Sequence, residues 1–329
     1  MVAHWLAELD GRRIAVEVPA SSANLGAGYD CLGVALAMTN RVELEVRSWS
    51  RGQIELTVDG EGRDELTADR DNRFVRGLEA ALVDARGALP DGVGWRIQMH
   101  NQIPLSRGLG SSAAATVGGV VAANVLLGGT LDAAAQLRIA TSVEGHPDNA
   151  AAALLGGFVV AAVTDATGAG AGEATYVEAL HFDAPRDLRA VLFIPEMRLS
   201  TSDMRRALPG SIPLADAVAN LGAVALGVAG MAAGRTDLLR NLTVDRIHEP
   251  YRAAAYPQLP RLVQAARDAG ALGACLSGAG STILAFADSM ADITRIEAAF
   301  AAVAADTDLP GRITVVQPRN HGARVVASA

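Results

Sequence analysis

Glu144-Gly145-His146-Pro147-Asp148-Asn149 sets four functional side chains in six positions. Carboxylates, an imidazole and an amide so close together can hold a cation, orient a hydroxyl or move a proton. Taken alone, the run fits ordinary loop chemistry at least as well as a metal site. A second stretch, Pro104-Leu105-Ser106-Arg107-Gly108-Leu109-Gly110-Ser111-Ser112-Ala113-Ala114, leads from a strand into a helix. Its glycines let backbone approach an anion closely. The free N–H groups and the dipole of a helix's first turn favour negative charge there. Its serines can bond phosphate or give one oxygen to Mg²⁺. The same residues also suit a glycine turn with a serine N-cap, and Gly-Leu-Gly does not choose between the two. Three further segments stand out. Pro19-Ala20-Ser21-Ser22-Ala23-Asn24-Leu25-Gly26-Ala27-Gly28-Tyr29-Asp30 is small and polar. Asp245-Arg246-Ile247-His248-Glu249-Pro250-Tyr251-Arg252 is dense in charge, and Leu276-Ser277-Gly278-Ala279-Gly280-Ser281-Thr282 is a second glycine-rich turn.

Composition removes several chemistries. All 28 basic residues are arginine. Without lysine there is no Walker A loop, no protein-kinase phosphate lysine and no Schiff base. The dinucleotide fingerprint G-x-G-x-x-G meets only its weaker Ala form at Ala113, without a fitting acidic partner. Neither 110–114 nor 276–280 spells the G-x-S-x-G elbow of a hydrolase. A formal charge of −8 argues against a nucleic-acid partner. No run of 18 uninterrupted apolar residues argues for a membrane span; 113–127 and 218–234 are short or broken. The segment 1–8 lacks a basic-then-apolar signal pattern, and Cys31 and Cys275 read as reduced thiols in cytoplasm.

These groups need a frame to hold them. Strands are expected at 13–18, 42–47, 54–58, 95–100, 155–163, 188–194, 282–287 and 312–316. Helices are expected at 71–88, 111–127, 131–143, after Pro147, and at 201–208, 213–233, 257–269 and 290–304. Residues 164–175, rich in Gly, Ala and Thr, read as a loop or hairpin near a domain boundary. The mixture predicts an α+β fold of two domains, 1–165 and 166–329. The apolar helices of the C-terminal half suit either a homodimer interface or core, and core is the expectation.

In this order, the five segments resemble the motifs of the GHMP kinase superfamily, and its homoserine kinase branch in particular, over about residues 14–320. The resemblance implies a two-domain fold with ATP and L-homoserine in the cleft between domains. It also implies transfer of a phosphoryl group to the homoserine hydroxyl, on the route to threonine. By motif match, 104–114 would cradle the phosphates, and Ser112 and Glu144 would hold Mg²⁺. Asn24, Asp30, His146 and Asn149 would face homoserine, and Arg205 and Arg252 would take its carboxylate. Asn72, after Asp71, would border the adenine. Some members of the superfamily use an Asp base aided by Lys; here Asn149 would polarise the hydroxyl and the proton would pass to phosphate. Asp148 is read beside it as a structural cap for the next helix. Ala27, Tyr29, Ser202 and Ser281 depart from the residues usual at their motif positions, where Pro, Phe, Lys and Pro are frequent. None of the four removes a charged substrate ligand.

Overall fold

Alternation along the first long strands sets the frame. In β2 (Leu32–Arg47), Val42, Leu44 and Val46 are buried while Arg41 and Glu43 are exposed or half exposed. They face β1 (Arg13–Ala23) in antiparallel register, Val16 opposite Val42 and Ile14 opposite Leu44. The computed structural model describes residues 5, 7–47, 52–89, 92–164 and 176–328. The 1–8 leader reading falls mostly outside these residues, as does the 164–175 loop beyond Thr164.

The first half continues with β3 (Ile54–Gly60), α1 (Arg73–Arg86), β4 (Gly94–Asn101), α2 (Ser111–Leu126), α3 (Ala133–Glu144), α4 (Asp148–Leu155) and β5 (Phe158–Thr164). The chain then runs through β6 (Tyr176–Phe182), β7 (Arg189–Pro195), α5 (Thr201–Arg206), α6 (Leu214–Ala232), α7 (Leu239–Leu242) and α8 (Glu249–Arg252). It ends with α9 (Leu259–Asp268), β8 (Gly273–Leu276), β9 (Ile283–Ala287), α10 (Met290–Asp306), β10 (Gly311–Val316) and β11 (Arg324–Ser328). One sheet runs β11-β1-β2-β4-β3, with β5 on β2 and β6 on β5; the other runs β10-β7-β9-β8.

The α+β architecture stands as expected. Three strands, β6, β8 and β11, escape the sequence pattern. β8 has only four residues, and β11 is exposed along its length, so neither alternates legibly. Sheet membership changes after Phe182. The proposed division at 165/166 falls between β5 and β6, which pair from Phe158–Phe182 to Thr164–Tyr176, and β11 returns to β1 from the far end of the chain. The sheets share a core. Leu192, Leu284 and Phe286 join the first cluster, with Phe286 5.7 Å from Phe158, while Val191, Phe193 and Ile283 face α9 and α10.

The expectation of core for the apolar C-terminal helices is corrected at α6. Only Asn220, Gly227, Gly230 and Met231 are buried in it, while Leu214 and Leu221 are 80% and 70% exposed. A helix apolar all round carries no period to mark its inner face. Among the described residues α6 alone is long and apolar enough, by length and composition, to cross a membrane.

Glycines bring α1 onto α2. A Cβ on Gly77 would sit 2.2 Å from Thr116 O, and one on Gly119 2.0 Å from Phe74 O. That contact fixes Arg73 and Asn72, at the start of α1, beside the first turns of α2.

Candidate active site

A cleft of about 370 Å³ gathers the first, second and third motifs, the 146–149 run, Arg205 and Arg252. The loop between β4 and α2 lines one end. Gly110 enters α2 in the left-handed region at φ 68° and makes no side-chain cap, so the serine-cap reading fails. Ala114 N–H is the first to bond back, to Gly110 O, which leaves the N–H groups of 111–113 without a helical acceptor. Neither glycine can be replaced easily. A Cβ on Gly110 would lie 2.0 Å from Ser21 Oγ, and one on Gly108 2.1 Å from Ser277 O. Arg107 turns away from this end and donates to the carbonyls of Leu105, Pro195 and Glu196. It clamps the loop to the end of β7.

The third motif is a brace. Ser277 Oγ donates to Gly108 O at 2.6 Å and accepts from Ser22 Oγ at 2.8 Å. Gly278 N–H donates to Ala23 O, Thr282 N–H to Arg107 O, and Ser281 Oγ to Met197 O. Asn24 Nδ2 and Arg252 Nη1 both donate to Gly278 O, at 2.9 and 3.0 Å. One turn therefore ties the first motif, the 104–114 loop and Arg252 together.

Glu144, at the end of α3, has a side chain only 3% exposed. Its carboxylate accepts from Ser112 Oγ at 2.7 Å and Thr116 Oγ1 at 2.6 Å, and Arg73 Nη1 stands 3.5 Å away. Ser112 and Thr116 share a face of α2 four residues apart. That spacing puts Thr116 one turn beyond Ser112, but nothing else in the sequence singles it out. Arg73, next to Asn72, carried no signal. Asn72 caps α1, accepting from Phe74 N–H and donating to Thr67 O, so its amide is already engaged at the cleft wall.

Asp148 is the first residue of α4 and not its cap, which is Pro147, so the cap reading is corrected. It is buried, lines the cleft, binds His146 Nδ1 at 2.8 Å and accepts from Asn149 N–H at 2.6 Å. Burial by itself lowers the His146 pKa, but the Asp148 hydrogen bond and charge outweigh it and leave the imidazole raised. Asn149 Oδ1 accepts from Ser21 Oγ at 2.9 Å. Its Nδ2 has only a 3.5 Å contact with Asp148, too long for a good bond. The amide NH₂ is thus its free end. Ser21 was invisible within a run of small polar residues.

At the opposite end Asn24, in the left-handed region at φ 68°, spends its amide on Asp30 N–H and Gly278 O. Asp30 accepts from both terminal guanidinium nitrogens of Arg205, which also donates to Tyr29 OH. Arg252 is 2% exposed and donates to Gly278 O and, at 3.4 Å, Met204 O, with His248 Nδ1 at 3.2 Å. Among the described residues no carboxylate comes within ion-pair distance of it, and burial lowers its pKa. His248 in turn contacts Gly26 O at 2.7 Å, and burial pushes its pKa down to about 4, keeping it neutral. Behind it Asp245 accepts from the N–H groups of Ile247, His248 and Glu249 and from Asn220. Glu249 is half-buried and accepts from Leu276 N–H at 2.7 Å; desolvation of its carboxyl pushes the pKa up to about 8.

Known proteins align with this arrangement. The GHMP kinases N terminal domain family matches residues 72–157, and the GHMP kinases C terminal family matches 216–306. The homoserine kinase of Moorella thermoacetica is 40% identical over 311 residues, 94% of this chain and 99% of that protein. That of Corynebacterium efficiens is 40% identical over 93% of this chain and 97% of its own length. The crystal structure of homoserine kinase from Cytophaga hutchinsonii superposes with a TM-score of 0.80 at 30% identity, covering 95% of this chain and 97% of that one. On these similarities, and with its motifs gathered in one cleft, the chain belongs to the GHMP kinases, within the homoserine kinase family.

Proposed function

We propose that the cleft transfers the γ-phosphoryl group of ATP to the side-chain hydroxyl of L-homoserine, giving O-phospho-L-homoserine for threonine synthesis. The observation that carries this reading is the pairing, in one cleft, of a loop that opens a helix with a buried arginine that has no carboxylate partner among the described residues. Phosphoryl transfer asks for positioning and charge stabilisation more than covalent help. The free N–H groups at 111–113 receive phosphate oxygens, and Asn72 borders the adenine. The substrate carboxylate lies between Arg205 and Arg252, and Asp30 takes its ammonium. His146 stands against the bound amino acid, held by Asp148. Asn149, with its oxygen anchored on Ser21, donates from Nδ2 to the attacking hydroxyl. An amide cannot take the proton, which passes to the transferred phosphate.

The residues fit Mg²⁺. One carboxylate and one hydroxyl, Glu144 and Ser112, already meet at 2.7 Å, and Mg²⁺ takes few protein ligands, keeping water and phosphate oxygens for the rest. Bound there, Mg²⁺ supplies neutralisation of the phosphate charge. Glu144 holds Ser112 and Thr116 in place, and Arg73 adds positive charge beside them.

The test is the ATP-dependent rate with L-homoserine, mevalonate, galactose and shikimate. Turnover is expected with homoserine alone; activity confined to another alcohol overturns the reading.

The two free thiols suit a reducing cytoplasm. A homodimer is the assembly we propose, with a second copy on the outer face of α6. No arginine lies between Leu214 and Ala232, so the helix lacks the basic face of a membrane-surface helix. Light scattering should give twice 33.8 kDa, and Leu221→Glu should return the monomer.

A further inference from the structure

The substrate end of the cleft holds a charge pair of its own. Asp30, in the turn between β1 and β2, accepts from Arg205 Nη1 at 2.8 Å and Nη2 at 2.6 Å. Arg205 stands on α5, which follows β7 of the other sheet, so the pair bridges the two sides of the cleft that both residues line. The side chains are 33% and 36% exposed, open enough to part and covered enough for a lost partner to matter. Each has support that does not depend on the other. Asp30 N–H donates to Asn24 Oδ1 at 3.1 Å. Arg205 donates to Tyr29 OH at 2.8 Å and lies 5.5 Å from the centre of the Tyr29 ring. Arg252 lies over the same ring at 5.5 Å.

We propose that the Asp30–Arg205 pair is a self-neutralising gate that admits ligands carrying both an ammonium and a carboxylate and rejects ligands carrying one. This rests on the reading of the cleft as an amino-acid alcohol site. A zwitterion exchanges partners without leaving a charge alone: its carboxylate replaces Asp30 on Arg205, and its ammonium replaces Arg205 on Asp30. A hydroxy acid releases Asp30 with nothing to pair it. An amino alcohol releases Arg205 in the same way. A half-buried charge stripped of its partner is costly, so each half-ligand pays a penalty the whole ligand avoids. Tyr29 is the positioning residue of the gate. Its phenol and ring hold Arg205 while the guanidinium changes carboxylates.

The experiment uses three ligands without a hydroxyl, so nothing reacts: L-2-aminobutanoate, butanoate and propylamine. Calorimetry measures their binding to the full wild-type chain, to Asp30→Asn and to Arg205→Gln. Asn suits the left-handed backbone of Asp30, at φ 56°. The wild type should bind the zwitterion about 100-fold more tightly than either half. Asp30→Asn should weaken the zwitterion about 10-fold and tighten butanoate about 5-fold; Arg205→Gln should tighten propylamine instead. These opposite signs are the signature of a gate. Butanoate no tighter in Asp30→Asn, with a melting temperature near wild type, overturns it, as does propylamine no tighter in Arg205→Gln. If neither variant folds, Tyr29→Phe, which keeps the ring, should still narrow the zwitterion's advantage several-fold; no narrowing overturns the gate. Wild type that binds none of the three overturns it too. The substrate reading fails separately: opposite signs here with no turnover of homoserine leave the gate standing and remove that substrate.

Discussion

The two ends of the cleft are built from different materials. The end we propose for phosphate is mostly backbone: left-handed glycines, three N–H groups of α2 and a brace of carbonyl contacts. The end we propose for the amino acid is side chain, with Arg252 and His248 buried, Asp245 and Glu249 hydrogen-bonded behind them, and Asp30 paired with Arg205. A backbone anion site needs no charge taken out of water in the empty protein. The amino-acid end keeps several ionisable groups buried, and each must be matched or neutral. Single side-chain changes should therefore act selectively at the amino-acid end, whereas at the phosphate end only the Glu144 cluster offers such a target.

The largest effect should come from that cluster. Glu144→Ala removes the acceptor of both Ser112 and Thr116 and should lower kcat by at least about 10³-fold. Rates near wild type across Mg²⁺ concentrations would remove Glu144 from the site. Next, Arg252→Met keeps the buried volume but loses the charge. It should raise KM for homoserine about 100-fold and KM for ATP less than about 3-fold. Equal effects on both would erase the contrast between the two ends. Thr116→Val leaves Ser112 and Glu144 in place but drops one oriented bond. The Mg²⁺ concentration for half activity should rise about 10-fold with homoserine KM unchanged.

The smallest effect is on stability and belongs to the amino-acid end. Glu249 titrates near its ordinary value when unfolded and at about 8 when folded. Between those values the folded chain binds the extra proton, so stability is full below about 4.5 and falls as pH rises through 8. His248 works the other way below 6.5, where its depressed pKa of about 4 makes stability rise with pH. Between pH 6.5 and 8 His248 no longer contributes a slope, and Glu249 and the raised His146 both make stability fall with pH. Melting temperature should fall by a few degrees over that window, and Glu249→Gln, which keeps an acceptor for Leu276 N–H, should flatten the fall. An unchanged slope would mean that Glu249 is ionised in the folded protein.

The site was legible wherever one residue type has few uses. Glycines after a strand, a Glu and His before a Pro, and arginines in a chain without lysine narrow the chemistry from the letters alone. Tyr29 was visible as a departure, yet its hold on Arg205 lies across 176 positions. Ser21 and Thr116 look like any small polar residue until Asn149 and Glu144 fold against them. The fold was legible where one face alternates, as in β2 and α1. It was not legible at β11, which joins β1 from over three hundred residues away, or at α6, whose pattern has no polar side to declare its outside.

By itself the sequence determined the inventory: which groups can carry charge, which backbone can turn left-handed, and that no lysine chemistry is open. Only the tertiary structure decided which of these groups meet. Asp30 and Arg205 each could have waited alone for a substrate; folded, they neutralise one another. The reason is that propensity and chemistry are local to a residue, whereas pairing energy depends on distance and burial, and both are set by contacts across the whole chain.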